Sequence, residues 1–473
     1  MRVYNGPFRL TGGAGTGKTV VLLHRAKNLN VKHPDARIIL TTYTRALAEN
    51  LRRDLERLDP VVETAQALGD RGVLVRGVDQ LAAAVREAAG SGFSEAALVL
   101  LGAGAESRGS VVSNEAGWEA AVDDSGVDLS PALSSKSFLA VEYLQVILPN
   151  RITTKDAYFQ VRRPGRGVAL DRAKRAAVWK VVEQYRRNAR ISNTLSYAEV
   201  AAVGAVWLEG PSESAPTFFA DHILIDEAQD LTSAHWQLLR ALVKSGENDL
   251  FIADDAHQRI YGQKIVLSRL GIAVRGRSRR LTLNYRTTEQ NLRFALRLLE
   301  GASFVDSEEM EESIAGYRSS RSGPVPQPLA AGNDSEQFSN LAERVKSWLE
   351  AGVNGATIAV LTGSNNASKD VHDALAHHGV PSTILNSAKQ SGSDPVILTM
   401  HTSKGMEFSR VILFDISDGT FPSPWSLRGV SPEDRPDVIL REKSLLYVAA
   451  SRARDELVVT WSGEPSELLK RRE

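Results

Sequence analysis

The fold is decided by residues 8–29, whose centre reads Gly12-Gly13-Ala14-Gly15-Thr16-Gly17-Lys18-Thr19 and matches the pattern GxxxxGK[ST]. A short strand, Phe8 to Leu10, is predicted before this loop, and a helix, Val20 to Leu29, after it. Glycines at this spacing let backbone N–H groups surround phosphate oxygens, and the helix directs its positive end at the same oxygens. Lys18 is expected to neutralise the β- and γ-phosphates, and the Thr19 hydroxyl to bind Mg²⁺. The loop therefore predicts a nucleoside-triphosphate site.

Strands and helices alternate on both sides of this loop. A second strand, Arg37 to Thr41, precedes a helix from Ala46 to Leu58, and apolar strands return at residues 222–225 and 249–253. This alternation predicts an α/β fold with a parallel sheet. A second α/β unit is predicted from about Arg280. Its expected strands are residues 357–361, 396–400 and 411–414, and residues 303–336 are expected to form a surface loop.

The composition changes between residues 86 and 194, where helical stretches rich in Ala, Glu and Arg dominate. We predict that residues 86–194 are a basic helical insertion in a first domain made of residues 1–85 and 195–270. Residues 271–473 are predicted to form the second domain.

Composition excludes several classes of protein. The chain has 473 residues with 57 Lys+Arg and 57 Asp+Glu, so a globally basic nucleic-acid binder is excluded, although a locally basic groove is not. Cysteine is absent, which excludes disulfides, Cys-ligated zinc, iron–sulfur clusters and thiol nucleophiles. Neither a membrane-spanning apolar run nor a signal pattern occurs. We expect a cytoplasmic protein with no membrane partner.

A second chemical signal follows the strand at residues 222–225. This strand ends in Asp226-Glu227-Ala228-Gln229-Asp230. Asp226 is expected to hold Mg²⁺, directly or through water, and Glu227 to polarise the attacking water. Together with the phosphate loop, this pair predicts hydrolysis of a nucleoside triphosphate.

With these segments, the chain resembles the UvrD/Rep-like superfamily 1 helicases. The resemblance rests on the phosphate loop and on five further segments in the order of the family. These segments are 226–230 (DEAQD), 254–261 (DDAHQRIY), 283–287 (LNYRT), 400–408 (MHTSKGMEF) and 446–454 (LYVAASRAR).

The resemblance implies two RecA-like domains with ATP between them. It implies that Gln258 senses the γ-phosphate from the first domain, and that Arg286 and Arg452 are arginine fingers from the second. A guanidinium stabilises the transferring phosphoryl group only when the cleft is closed. By the same resemblance, Tyr285 stacks on adenine, Glu407 contacts the ribose, and Gly405 belongs to the nucleotide site.

The resemblance also implies contacts with DNA. Thr42, Tyr43, Thr44 and Arg45 resemble a DNA-contact motif, in which the tyrosine stacks on a base and its neighbours bind phosphates. Three further residues resemble DNA contacts: Tyr261, His401 and Ser403. A buried Tyr43 and a capping Ser403 remain open as alternatives.

The insertion carries a basic run from Arg162 to Arg190, in which ten cationic residues are opposed by Asp171 and Glu183. Trp179 and Tyr185 lie within this run. A solvated helix face and a nucleic-acid surface are both compatible with this pattern.

The chain departs from the family at several positions. No glutamine segment precedes Gly12, Val20 stands where many members have arginine, and Gln263 stands where tryptophan is common. Only about ten residues separate Ile384 from Val396, where well-studied members insert a subdomain. We therefore expect this accessory subdomain of the second domain to be absent or vestigial. The chain stops about twenty residues after Arg452, so no nuclease domain is expected in this polypeptide.

These features predict an ATP-dependent DNA helicase or translocase that moves on single-stranded DNA, 3′ to 5′ by resemblance. Its cofactors would be ATP and Mg²⁺. Its expected partners are single-stranded DNA, single/double-strand junctions, and repair or replication proteins. The alternative is a DNA-binding nucleotide switch, whose ATPase changes affinity or partner choice without autonomous unwinding.

Overall fold

The computed structural model describes residues 3–163, 166, 169–210, 218–260, 265–385, 392–428, 430, 432 and 435–470. The strands, in chain order, are β1 Phe8–Gly12, β2 Arg37–Thr42, β3 Gly72–Gly77, β4 Ser110–Val112, β5 Thr194–Ser196, β6 His222–Ile225, β7 Leu250–Asp254, β8 Ser278–Leu281, β9 Leu283–Asn284, β10 Arg318–Ser319, β11 Gln327–Ala331, β12 Ile358–Thr362, β13 Thr383–Ile384, β14 Val396–Thr399, β15 Phe408–Leu413 and β16 Ala453–Ser462. The α-helices are α1 Lys18–Lys32, α2 Arg45–Leu58, α3 Val78–Ala89, α4 Ser91–Leu101, α5 Trp118–Ser125, α6 Pro131–Ser134, α7 Lys136–Glu142, α8 Lys155–Gln160, α9 Arg172–Ile191, α10 Tyr197–Glu209, α11 Ser233–Leu242, α12 Glu289–Leu298, α13 Asp334–Glu350, α14 Asn365–His377, α15 Pro424–Leu427 and α16 Arg435–Ala450.

The first sheet has six strands in the order β3-β2-β6-β7-β1-β8, and every neighbouring pair is parallel. The middle of its central strands is apolar, as at residues 38–40 and 223–225, because helices cover both faces. Leu22 of α1 and Leu55 of α2 belong to the core on one face. Val85 of α3 and Leu238 of α11 belong to the core that includes Ile223. The predicted strands and helices from residue 8 to residue 58 are confirmed.

The second sheet also has six parallel strands, in the order β11-β16-β15-β12-β14-β13. Helices α13 and α14 supply one core, and α12 and α16 supply the other. The core formed with α12 and α16 also contains Ala14 and Ile260 of the first domain. The predicted fold, two parallel-sheet α/β domains, is confirmed, and the domains share apolar contacts beside the phosphate loop.

Two predictions about the start of the second domain are wrong. Residues 278–281 fall within the predicted second domain, but they form β8, which pairs with β1 of the first sheet, with Thr11 opposite Arg280. It completes the open edge of β1, so the first sheet extends to Leu281. Residues 303–336 are not only loop, because β11 forms the edge of the second sheet. Pro328 lies in this strand, and an edge position tolerates proline because one side of the strand needs no N–H donor. The remaining domain limits stay a prediction.

Helices α4 to α9 build most of the predicted insertion. Its core includes Trp118, Tyr143 and Trp179, and it is continuous with Ile39 and Ile223 of the first sheet. The rings of Trp118 and Tyr185 stack with centroids 4.0 Å apart. Trp179 and Tyr185 are therefore core residues rather than surface rings for bases.

Much of the predicted basic run is used inside the insertion. Arg163 and Arg166 both pair with Glu142, which is fully buried. Burial alone would raise the pKa of Glu142, but the two guanidinium groups lower it. Arg175 donates to the carbonyl oxygens of residues 158, 159 and 161. The exposed cations of the run are Arg162, Arg172, Lys174, Lys180, Arg187 and Arg190.

The described residues between β13 and β14 form no helix or strand, and residues 386–391 lie outside the description. Because only eleven residues separate these two strands, no subdomain fits between them, as the sequence predicts. Among the helices in the described ranges, none has the length and apolar character needed to cross a membrane.

Candidate ATP site and nucleic-acid-binding surface

The phosphate loop lies at the carboxyl end of β1, where α1 begins at Lys18. Gly15 and Gly17 have φ angles of 71° and 85°, a left-handed conformation that strains other residues. The Lys18 ammonium donates to the carbonyl oxygens of Gly12, at 2.6 Å, and Gly13, at 3.0 Å. The loop therefore encloses its own cation, close to where phosphate oxygens would lie.

Thr19 and Asp226, the two predicted Mg²⁺ ligands, contact each other. The Thr19 hydroxyl donates to Asp226 Oδ2 at 2.8 Å. The second oxygen, Oδ1, is buried and has no hydrogen-bond partner among the residues described here. Burial, with the neighbouring Glu227 charge, raises the pKa of Asp226 to about 6. A buried carboxylate oxygen without a donor, next to a hydroxyl, suits a hard cation such as Mg²⁺.

Glu227 follows β6 in a left-handed conformation, with φ 51°, which is uncommon for a residue with a side chain. Its carboxylate accepts a hydrogen bond from the Gln229 amide and lies 3.6 Å from Lys404 Nζ. Burial opposes ionisation, but Lys404, Lys18 and Arg452 outweigh it and lower the pKa of Glu227. An ionised carboxylate here can accept a proton from water.

Asp255 connects the phosphate loop to Gln258, and the sequence assigned it no role. One carboxylate oxygen lies 3.9 Å from Lys18 Nζ and accepts a hydrogen bond from Gln258 Nε2 at 2.7 Å. The other accepts from the His257 backbone N–H at 3.0 Å. Burial alone would raise the pKa of Asp255, but Lys18 and the side chains of His257 and Gln258 outweigh it and hold the pKa at about 2.

Arg452 enters this network from the second domain. Its guanidinium donates to Gln258 Oε1 at 3.3 Å and to the Val448 and Met406 carbonyl oxygens. Burial and the nearby Arg286 lower the pKa of Arg452 to about 10, so it stays cationic at neutral pH. Two residues predicted to act together, Gln258 and Arg452, therefore meet across the domain boundary.

Arg286 and Glu407 are paired with each other. Their side chains form an ion pair with Nε and Oε2 2.8 Å apart. Tyr285 is 62% exposed and lines a cavity of about 450 Å³ together with Thr16 and Val21. The cavity has the position expected for a base next to the phosphate loop.

Lys404 is a second residue that the sequence reasoning missed. Its ammonium forms an ion pair with Asp230 and donates to the Gln258 carbonyl oxygen at 2.8 Å. Only 4% of the Lys404 side chain and 1% of the Asp230 side chain are exposed. The only sequence signal was the place of Lys404 inside a motif, which does not identify the acidic partner. Gly405 has a φ angle of 81°, and a Cβ atom there would overlap the tip of the Leu47 side chain of α2.

The first predicted DNA motif lies at the start of α2. Thr42 is buried, which argues against a direct phosphate contact, and the Thr44 hydroxyl caps α2 by accepting from the Leu47 N–H. Tyr43 is half-buried and Arg45 is exposed beside Glu49. Tyr261 lies outside the described residues.

His401 and Ser403, the two residues predicted to contact DNA from the second domain, differ in their surroundings. Ser403 is buried, and its hydroxyl donates to the Met400 carbonyl oxygen at 2.7 Å within a turn, so it caps no helix. His401 lines a cavity of about 780 Å³ at the carboxyl ends of β12 and β14, and burial lowers its pKa. The same cavity is lined by Ser364, Asn365, Lys369 and Thr402, which the sequence did not single out. The N-terminus of α14 opens here, a favourable position for phosphate.

A phosphate loop between two parallel-sheet domains, with an arginine reaching across the boundary, defines the class as a two-domain P-loop ATPase. Residues 1–264 match the UvrD/REP helicase N-terminal domain, and residues 385–464 match the UvrD-like helicase C-terminal domain. The chain belongs to the UvrD/REP helicase family, as the motifs predict. ATP use is a property of this family.

Several curated proteins are similar to this chain. A probable DNA helicase of Mycoplasma pneumoniae is 26% identical over 60% of this chain and 51% of its own length. The ATP-dependent DNA helicase UvrD2 of Mycobacterium bovis is 22% identical over 97% of this chain and 77% of its own. The chain thus spans about half of the first relative. Among solved structures, the C-terminal domain of a possible DNA helicase from Lactobacillus is 21% identical to this chain. The match covers 40% of this chain and 92% of the Lactobacillus chain, with a TM-score of 0.30, which is too low to support an argument.

Proposed function

We propose that this protein is an ATP-dependent DNA helicase or translocase that moves on single-stranded DNA. The observation that carries the proposal is the contact between Arg452 and Gln258, beside Lys18 and Glu227. It joins the second domain to the hydrolysis site of the first, so that ATP turnover and domain movement depend on the same contacts.

The chemistry follows from the charges around the loop. Lys18 and Arg452 would stabilise the negative charge that develops on the transferring phosphoryl group. Glu227, ionised because of its cationic neighbours, would accept a proton from the attacking water. Thr19 and Asp226 would hold Mg²⁺, which neutralises phosphate charge when bound. Loss of the γ-phosphate would remove the charge that Arg452 faces, so the cleft would loosen.

The proposed DNA surface runs between the two domains. On the first domain it includes Tyr43 and Arg45, and on the second the groove that contains His401 and Lys369. If the affinity of each side for the strand changes with domain closure, alternating closure and opening would advance the strand. Residue types in both places suit sequence-independent backbone binding and stacking.

The test is the ATPase rate of the purified chain with oligo-dT strands of increasing length. A translocase is stimulated more by longer strands, because it completes more steps before it dissociates. Stimulation that does not depend on length would favour the nucleotide switch. Turnover that ignores DNA altogether would contradict the proposal.

Polarity is tested separately. We propose 3′-to-5′ movement, which predicts faster displacement of streptavidin from a 5′-biotinylated strand than from a 3′-biotinylated strand. The reverse order would contradict the direction while leaving translocation intact. A Lys18→Ala variant should bring both displacement rates to the background.

A further inference from the structure

Tyr447 makes a contact with the phosphate loop for which none of the roles above accounts. Its side chain is 1% exposed and lies on α16, in the core of the second domain. The phenol oxygen accepts a hydrogen bond from the Ala14 backbone N–H at 3.1 Å. A side chain of the second domain thus holds the backbone of the loop that would bind phosphate.

The fit around this contact is close. A Cβ atom on Gly13 would lie 3.0 Å from a ring carbon of Tyr317 and 3.2 Å from the Tyr447 oxygen. The Tyr447 ring also packs edge-on against His257, with centroids 6.2 Å apart. A side chain at position 13 would therefore press on both tyrosines, so the contact is closely packed.

A second segment holds the same turn. Asn284 Nδ2 donates to the Ala14 carbonyl oxygen at 2.7 Å, and the Tyr285 N–H donates to the Gly15 carbonyl oxygen at 3.0 Å. Both holding segments lead to an arginine: Arg286 follows Asn284 by two residues, and Arg452 follows Tyr447 by five. The backbone at Ala14 is thus linked to both arginines of the site through Asn284 and Tyr447 and the short segments that follow them.

We propose that Tyr447 is a positioning residue that couples the shape of the phosphate loop to the placement of Arg452. When phosphate reshapes the loop, the Ala14–Tyr447 hydrogen bond moves α16, and Arg452, two residues beyond the end of this helix, moves with it. The inference rests on the proposed ATPase function, because it assigns Tyr447 a part in the same reaction.

The test compares Tyr447→Phe with the matched control Tyr317→Phe. Each substitution removes one phenol oxygen near Gly13 and keeps the ring, but only Tyr447 has a hydrogen bond to the loop backbone. For Tyr447→Phe we expect kcat for ATP to fall about fivefold, since one neutral hydrogen bond is lost, with KM within about twofold of the unmodified chain. Tyr317→Phe should keep both constants, and both variants should keep the unmodified melting temperature within a few degrees.

A double-mutant cycle with Arg452→Lys separates positioning from a merely structural role. If Tyr447 acts through Arg452, adding Tyr447→Phe to Arg452→Lys should reduce kcat by less than twofold further. The inference would be overturned if the two substitutions reduced kcat independently, so that their fold losses multiplied in the double variant, or if Tyr447→Phe left kcat unchanged. The proposed function would stand in either case. Absence of turnover in the unmodified chain would overturn the proposed function, and the inference with it.

Discussion

Replacing Lys404 by methionine should open the cleft between the two domains without unfolding either one. The Lys404 ammonium bridges them, because it pairs with Asp230 and donates to the Gln258 carbonyl oxygen of the first domain. Methionine keeps the length and most of the volume of lysine, so the substitution removes the charge and leaves the packing nearly unchanged.

The magnitude follows from burial. Asp230 is 1% exposed, so Lys404→Met leaves its carboxylate without this cation in a site that excludes water. Breaking a buried ion pair by removing one partner costs about 3–5 kcal/mol. The two partners belong to different domains, so the cost falls on the closed arrangement. A loss of about 3 kcal/mol lowers the closed fraction about a hundredfold, and kcat/KM for ATP should fall by a similar factor.

The assay is steady-state ATP hydrolysis with saturating single-stranded DNA, together with thermal unfolding. Lys346 is exposed on α13, so Lys346→Met is the control for loss of a lysine charge and should keep normal activity. The double variant Lys404→Met/Asp230→Asn should recover part of the lost activity, because the buried negative charge that Lys404 balanced is gone. Activity of Lys404→Met within threefold of the unmodified chain would refute the reasoning.

Four further outcomes are expected. Arg452→Ala should lower kcat about a thousandfold with little change in ATP binding, since an arginine finger acts mainly on the transition state; an equal rise in Kd measured by nucleotide titration would contradict this. Glu142→Gln should destabilise the insertion by about 3 kcal/mol in urea unfolding, because two buried arginines lose their carboxylate, whereas the exposed Glu119→Gln should change little. Asp255, with its pKa lowered from 3.8 to about 2, should add about 2 kcal/mol to the free energy of unfolding above pH 4, and this contribution should be lost as the pH falls towards 2. The difference in the free energy of unfolding between the unmodified chain and Asp255→Asn should therefore shrink over that pH range. A constant difference would refute the assignment. Lys369→Ala should weaken single-stranded DNA binding and reduce the slope of log K against log salt by about one, and an unchanged slope would exclude a phosphate contact.

Much of the fold could be predicted from local signals in the chain. Apolar runs such as Ile38 to Leu40 identify buried parallel strands, and the glycines before Lys18 identify a phosphate loop, because both patterns are written in consecutive residues. The predictions failed where pairing partners decide the structure. Strand β8 joins the first sheet because β1 offers an open edge, and β11 was hidden by Pro328 and by its weak apolar pattern.

The same distinction applies to the candidate site. Lys18, Thr19, Asp226 and Glu227 could be named in advance, since motif and chemistry coincide within short segments. The basic run could not be interpreted from charge alone, because a charge count does not distinguish solvated cations from those that neutralise Glu142.

The sequence by itself determined the class of the fold, the nucleotide chemistry of the loop and the order of the motifs, because each depends on residues close together in the chain. Only the tertiary structure decided how the domains meet. Lys404 contacts Asp230 and Tyr447 contacts Ala14 across the two domains, between residues 174 and 433 positions apart in the chain. Asp255 and Lys18 also lie far apart in the chain, although both belong to the first domain. Such pairs form only when two sheets and their helices are packed, since burial and the loss of water give each contact its strength.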